Sequence, residues 1–279
     1  AFFGGDPDNF NFPRYALDAA FLRAYENGRP VSIANPLRWS PRAPVAGEVT
    51  FVAGNPGSTS RLLTDAQRAF QRELRLPTNL ILNSEFRGRV IGAAGTDPER
   101  VRQAGDTLAG IENGFKAQYG QFRSLNDAEF TGRMTAAEAD LRQRAAGNAA
   151  IGDPWAEIRA ADAAYRNFYY DFRFLEASAG QWSQLFDYAR TLVRGAAERG
   201  KPNGERLPEF TDSSLPLVEQ NLLGEVPIYP WLEQLNLEFW LSKTREYLTA
   251  DNADVRALLG RESPEALAAR LVSGTRLGD

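Results

Sequence analysis

Seven of the 16 prolines in this 279-residue chain fall within its first 60 residues: Pro7, Pro13, Pro30, Pro36, Pro41, Pro44 and Pro56. Proline fixes φ, lacks a backbone N–H and breaks helix interiors, so this density forbids long helices there. Two strand-like runs lie between the prolines. Phe21–Tyr25 is followed by a turn carrying the Asn27-Gly28 pair, a dipeptide suited to a two-residue hairpin. Glu48–Ala53 is β-branched and aromatic and ends at Gly54-Asn55-Pro56-Gly57, which reads as a second strand closed by a turn. The first 60 residues are therefore expected to form β-hairpins and loops.

From about Ser60 the apolar spacing changes to a period near 3.6. Thr64-Asp65 can cap a helix running to Leu74. Asp97-Pro98 and Asp153-Pro154 each place a capping side chain before a proline suited to the first helical position. The first pair starts a helix expected to reach about Phe122. After the second, Trp155, Ile158, Ala161, Tyr165, Phe168, Phe172 and Leu175 recur at steps of three and four, so they share one face and are expected to be core. Trp182–Arg199, a segment opened by Pro227 and Pro230, and a short stretch from Ser263-Pro264 complete the helical pattern. The expected fold is mainly α, an irregular antiparallel helical domain over residues 61–279, preceded by a short β segment over residues 1–60. No repeat of fixed period is present, which disfavours a solenoid.

Composition removes several chemistries. The chain has no cysteine and no histidine. It can form no disulfide, use no thiolate nucleophile, and complete no Ser-His-Asp triad from its own residues. The formal charge of -4 gives no electrostatic footprint for nucleic acid. No run approaches the roughly 18 apolar residues of a membrane span. No metal site is expected, since the histidine and cysteine ligands are absent, and no cofactor, since no Gly-x-x-x-x-Gly-Lys loop occurs. The chain starts at Ala1 and closes on Thr275-Arg276-Leu277-Gly278-Asp279 without a stop signal, so it is expected to be a piece of a longer protein.

The densest group of polar side chains is Gly4–Asp18, with Asp6, Asp8 and Asp18, Asn9 and Asn11, and several aromatics. Spacing alone leaves two readings: a polar turn bonded to its own backbone, or a calcium loop lacking the usual glycine and the bidentate glutamate.

The run Phe3-Gly4-Gly5-Asp6-Pro7-Asp8-Asn9-Phe10-Asn11-Phe12-Pro13-Arg14, followed by Asp18 and Phe21-Leu22-Arg23-Ala24-Tyr25, resembles the signature of a bacterial serine exopeptidase family. This is peptidase family S forty-six, which includes dipeptidyl-peptidases seven and eleven. Gly47–Thr59 resembles the strand and Gly-Asn-Pro-Gly turn that precede that family's helical insertion. The resemblance implies a chymotrypsin-like double β-barrel with a Ser-His-Asp triad, and an inserted helical domain that caps the active-site cleft. It implies removal of dipeptides from the free N-terminus of peptides, in a periplasmic or secreted protein. Residues 1–60 would then be part of the catalytic barrel and residues 61–279 the cap.

Carried over by position, Asp18 matches the triad aspartate. Asn9 matches a residue that recognises the substrate's α-amino group, and Phe10 an aromatic, commonly Trp, beside that amine. Two departures bear on substrate preference: Phe10 replaces Trp, and Tyr15-Ala16-Leu17 stands where many members have His-Thr-Gly. The family's catalytic histidine would precede residue 1 and its serine would follow the helical domain, so Ser58 is not assigned as nucleophile. The expected partners are peptides with a free N-terminus, with neither nucleic acid nor membrane. Unpaired strand edges in residues 1–60 could also pair with a second copy as a homodimer. The alternative is a non-catalytic helical protein-interaction module.

Overall fold

The computed structural model describes residues 20–51, 54 and 62–277. The chain divides into two compact units, Ala1–Leu63 and Thr64–Asp279.

In the first unit, β1 (Tyr25–Glu26) pairs antiparallel with β2 (Arg29–Pro30). Asn27 and Gly28 connect them with φ of 52° and 75°, the left-handed pair that a type I′ turn needs and that Asn-Gly supplies. The hairpin therefore forms where the sequence places its turn, but each strand is only two residues long. The strand expected at Glu48–Ala53 is not formed across its described residues, 48–51. Val49 and Phe51 are exposed, and a strand without a pairing partner gains neither ladder bonds nor a covered face.

The second unit is helical. A Thr64 capping box starts α1 (Asp65–Phe70): the Thr64 hydroxyl accepts from the Gln67 N–H, and the Gln67 side chain accepts from the Thr64 N–H at 3.0 Å. The helix does not end near Leu74. It widens into a π-helical turn at Gln71–Arg75 and continues as α2 (Leu76–Ala94). The Leu76 N–H bonds back five residues to Gln71, and Pro77, which has no N–H to offer, follows at once. The ladder is re-phased where proline would otherwise interrupt it.

Asp97 and Asp153 cap α3 (Pro98–Leu125) and α5 (Pro154–Phe172) as their sequence signals require. Between them, Asp127 caps α4 (Ala128–Ala145). A second π-helical turn, Arg173–Ala177, extends α5. Then follow α6 (Gln184–Arg199), α7 (Leu215–Leu222), α8 (Pro230–Leu248), α9 (Ala253–Leu259) and α10 (Pro264–Gly274).

The core is built around α8, which is buried on several sides rather than on one face: Leu237, Phe239, Trp240, Leu241 and Leu248 all lie inside. Phe86 and Val90 of α2, Ile111 of α3, Val255 of α9 and Leu267 of α10 join the same cluster. Phe86 packs on Phe239 with ring centroids 4.8 Å apart, and Phe186 on Trp240 at 4.9 Å. The aromatic stripe expected to be core is only partly so. Phe168 and Phe172 are 48% and 41% exposed, while Tyr169, one step away, is buried.

Candidate functional site

Asp18, Asn9 and Phe10 lie outside the described residues, as do Asp6, Asp8 and Ser58. Among the described residues no group of three or more His, Cys, Asp or Glu side chains is placed to hold a metal ion. No described helix is long and apolar enough to cross a membrane.

Within the helical unit, three helices surround a cleft of about 410 Å³. Each contributes residues four apart, which stack on one face of a helix. The segment from the first π turn into α2 supplies Arg75, Asn79 and Asn83. Helix α3 supplies Gly110, Gly114 and Gln118. Helix α5 supplies Tyr165, Tyr169 and Phe172, continued by Arg173 at the start of the second π turn. Ala177, Ser178, Gln181 and Trp182 complete the lining. Where a helical bundle normally meets leucine with leucine, these stripes meet amide, glycine and phenol.

The wall at Trp182 is built under strain. Trp182 has φ of 75°, a left-handed conformation rare for a bulky residue. The expected helical start at Trp182 therefore gives way to a turn, with Gly180 at φ 63° and Ser183 as the cap of α6. Buried Asn236 donates from Nδ2 to the Trp182 carbonyl at 2.6 Å. The indole stacks near Phe86, 6.2 Å between centroids, and lies over Gly110, where a Cβ would meet the ring at 3.3 Å. Gly110 is thus the residue that lets the indole settle against α3.

Polarity inside the cleft is unspent. Among the described residues, five buried side-chain atoms have no hydrogen-bond partner, and four of them belong to residues that line this cleft: Asn79 Oδ1, Gln118 Oε1, the Tyr169 hydroxyl and Arg173 Nε. Such atoms are uncommon in folded proteins, and their clustering marks a place built for something other than packing. Burial pushes the Tyr169 phenol above its ordinary value, while the nearby guanidinium of Arg173 pulls it back. The phenol is therefore an O–H donor at neutral pH. Two arginines and no carboxylate line the space, so it favours a negative ligand.

This cleft was not anticipated, although its signal is in the sequence: Arg75-Asn79-Asn83 and Gly110-Gly114-Gln118 are both four-residue ladders.

Comparison with known proteins bears on the chain as a whole. It is similar to the Asp/Glu-specific dipeptidyl-peptidase of Shewanella putrefaciens, with 26% identity over 271 residues, covering 90% of this chain and 36% of that relative. The chain thus spans about a third of the length of the curated relative it matches. The family model Peptidase S46 matches residues 1–279. All 279 residues falling within that match, this chain belongs to the Peptidase S46 family.

Proposed function

We propose that this chain is part of a serine-type dipeptidyl-peptidase, working in the periplasm or outside the cell, that removes dipeptides from the free N-terminus of peptides. The match of the peptidase family model to the entire chain carries this reading. A second observation supports the division of labour. In the first unit Leu22, Leu37, Trp39 and Phe51 are 82% exposed or more. Apolar surface of that kind is covered when the neighbouring strands of a barrel are supplied by polypeptide outside these 279 residues. Residues 1–60 are then part of a chymotrypsin-like barrel, and residues 61–279 are the helical cap.

Asp18 accepts the Nδ1–H of a histidine from outside this chain. It holds that imidazole in the tautomer able to take the serine proton, and stabilises the imidazolium that forms. Asn9 accepts from the substrate ammonium through its carboxamide oxygen, and the Phe10 ring attracts the same cation by roughly 0.5–2 kcal/mol. Anchoring the amine at a fixed distance from the serine sets the cut after the second residue. The isolated chain, with one triad member of three, is inactive.

The test is made in the full-length enzyme. Asp18→Asn is expected to lower kcat by about 10⁴ with a small change in KM, because an amide favours the wrong histidine tautomer. Asn9→Ala is expected to raise KM for dipeptide substrates. Retention of more than a tenth of kcat in Asp18→Asn would remove Asp18 from the triad. Dipeptide hydrolysis by the isolated 279-residue chain, lost on Asp18→Asn, would overturn the fragment reading.

A further inference from the structure

We propose that the cleft between α2, α3 and α5 binds the C-terminal end of a short peptide, its α-carboxylate held by Arg75 and Arg173. This goes beyond the assignment of Asp18, Asn9 and Phe10 and does not rest on it.

The charge comes first. Arg75 and Arg173 are the charged residues of the lining, with no carboxylate to neutralise them there, so an anion is the complement. The unpartnered atoms then narrow the class. Arg173 Nε and the Tyr169 hydroxyl are donors, which a carboxylate satisfies. Asn79 Oδ1 and Gln118 Oε1 are acceptors, which an oxyanion with no proton of its own, such as sulfate, cannot satisfy and would repel. A ligand answering all four carries both an anionic acceptor and an N–H donor. The last residue of a peptide does this, with its α-carboxylate and its own amide N–H.

Asn79 and Tyr169 are both more than nine-tenths buried, so their unmet bonds are costly unless a ligand or solvent meets them. The remaining wall is the indole of Trp182, fixed by its hydrogen-bonded carbonyl and its seat on Gly110, which suits an apolar terminal side chain. The volume of about 410 Å³ sits in the range of roughly 300–1,000 Å³ typical of small-ligand pockets.

The probe is N-acetyl-Ala-Phe, whose blocked amine separates this site from any that needs a free N-terminus. It is titrated into the 279-residue chain by calorimetry, with Trp fluorescence as a second readout. Expected are saturable binding, at least tenfold weaker binding of N-acetyl-Ala-Phe-amide, at least tenfold weaker binding by Arg173→Met, and loss of the fluorescence response in Trp182→Phe. Comparing acid with amide on the unaltered chain decides the matter even if a variant fails to fold. Phenylacetate and N-acetyl-Phe, run in parallel, separate a free organic acid from a peptide end: equal binding of phenylacetate would overturn the peptide assignment. Displacement of N-acetyl-Ala-Phe by equimolar inorganic phosphate, equal binding of acid and amide, or no saturable binding would overturn the proposal.

Discussion

Replacing Glu233 with alanine should be among the most damaging single changes in the helical unit, and its cost can be worked from three hydrogen bonds. Glu233 sits on α8, buried, and its carboxylate reaches across to the start of α6. Oε2 accepts from the Ser183 hydroxyl at 2.7 Å and from the Leu185 N–H at 3.0 Å, and Oε1 accepts from the Gln184 N–H at 3.1 Å. Two of these donors are helix-start N–H groups with no intrahelical partner. Truncation leaves them buried and unpaired at roughly 1–3 kcal/mol each, and removes a negative charge from a helix N-terminus, worth about 0.3–1 kcal/mol or somewhat more when partly buried. Ser183 keeps its own capping bond to the Phe186 N–H at 3.1 Å, so the start of α6 is not lost outright. A total of about 2–7 kcal/mol follows. For a unit the size of Thr64–Asp279 this lowers Tm by about 4–28 °C. Glu233→Gln can keep its oxygen at the Oε2 position, retaining two bonds and losing the one from Gln184, so it should cost only about 1–2 kcal/mol. Thermal melts followed by helical ellipticity should order the proteins wild type, Glu233→Gln, Glu233→Ala. A Glu233→Ala melt within 2 °C of wild type, or the two variants melting together, would refute this account of what joins α6 to α8.

Three further changes have calculable outcomes. Phe86→Ala empties the ring site between Phe239 and Trp182 and should cost about 3–5 kcal/mol in urea unfolding; a cost below 1 kcal/mol would mean that the site collapses. Gly180→Ala combines a left-handed φ of 63° with a Cβ 2.8 Å from the Phe186 Cβ and closer still to its ring, so a loss of about 2–4 kcal/mol is expected, checked by the same denaturation. Glu176, in the second π turn, is held below its ordinary value of 4.5 by the side chains of Arg194 and then Arg190. A depressed carboxylate gives stability that is full above the unfolded pKa and lost as pH falls through the folded one. The Tm gap between wild type and Glu176→Gln should therefore be widest above pH 4.5 and close on acidification; a gap constant across that range would contradict it.

The parts of the fold legible in the sequence are those fixed by local chemistry. Asp97-Pro98, Asp153-Pro154 and Ser263-Pro264 start helices because a capping oxygen and a preset φ act within four residues. The Asn27-Gly28 turn is local for the same reason. What failed depends on distant partners. Val49 and Phe51 have the composition of a strand, but pairing needs a neighbour at a remote position in sequence. The face carrying Trp231, Leu235 and Phe239 is a true α8 face, yet Leu237 and Leu241, on another side, are buried as well. A periodic pattern says which residues stand together and not how many neighbours surround the helix. Tyr165 and Phe172 share a face as expected, but that face looks onto a cleft because α3 opposes it with Gly110 and Gly114, which carry no side chain to fill the gap. The residues assigned through the resemblance, Asp18, Asn9 and Phe10, lie outside the described chain and rest on motif alone.

The two π turns place both cations of the cleft. In an uninterrupted α-helix, at about 100° per residue, Phe70 and Leu76 would stand about 120° apart, and Tyr169 and Phe174 about 140° apart. All four are buried. Each pair straddles or enters a π-helical turn, Gln71–Arg75 in one case and Arg173–Ala177 in the other, and a widened turn shifts the phase of the residues that follow it. Arg75 ends the first of these turns and Arg173 begins the second, and both line the cleft. A long flexible cation serves such a position, because its stem can cover apolar surface while its guanidinium reaches the polar space. Both cations of the cleft are thus set at π turns, and a substitution that restored the regular helix would move them.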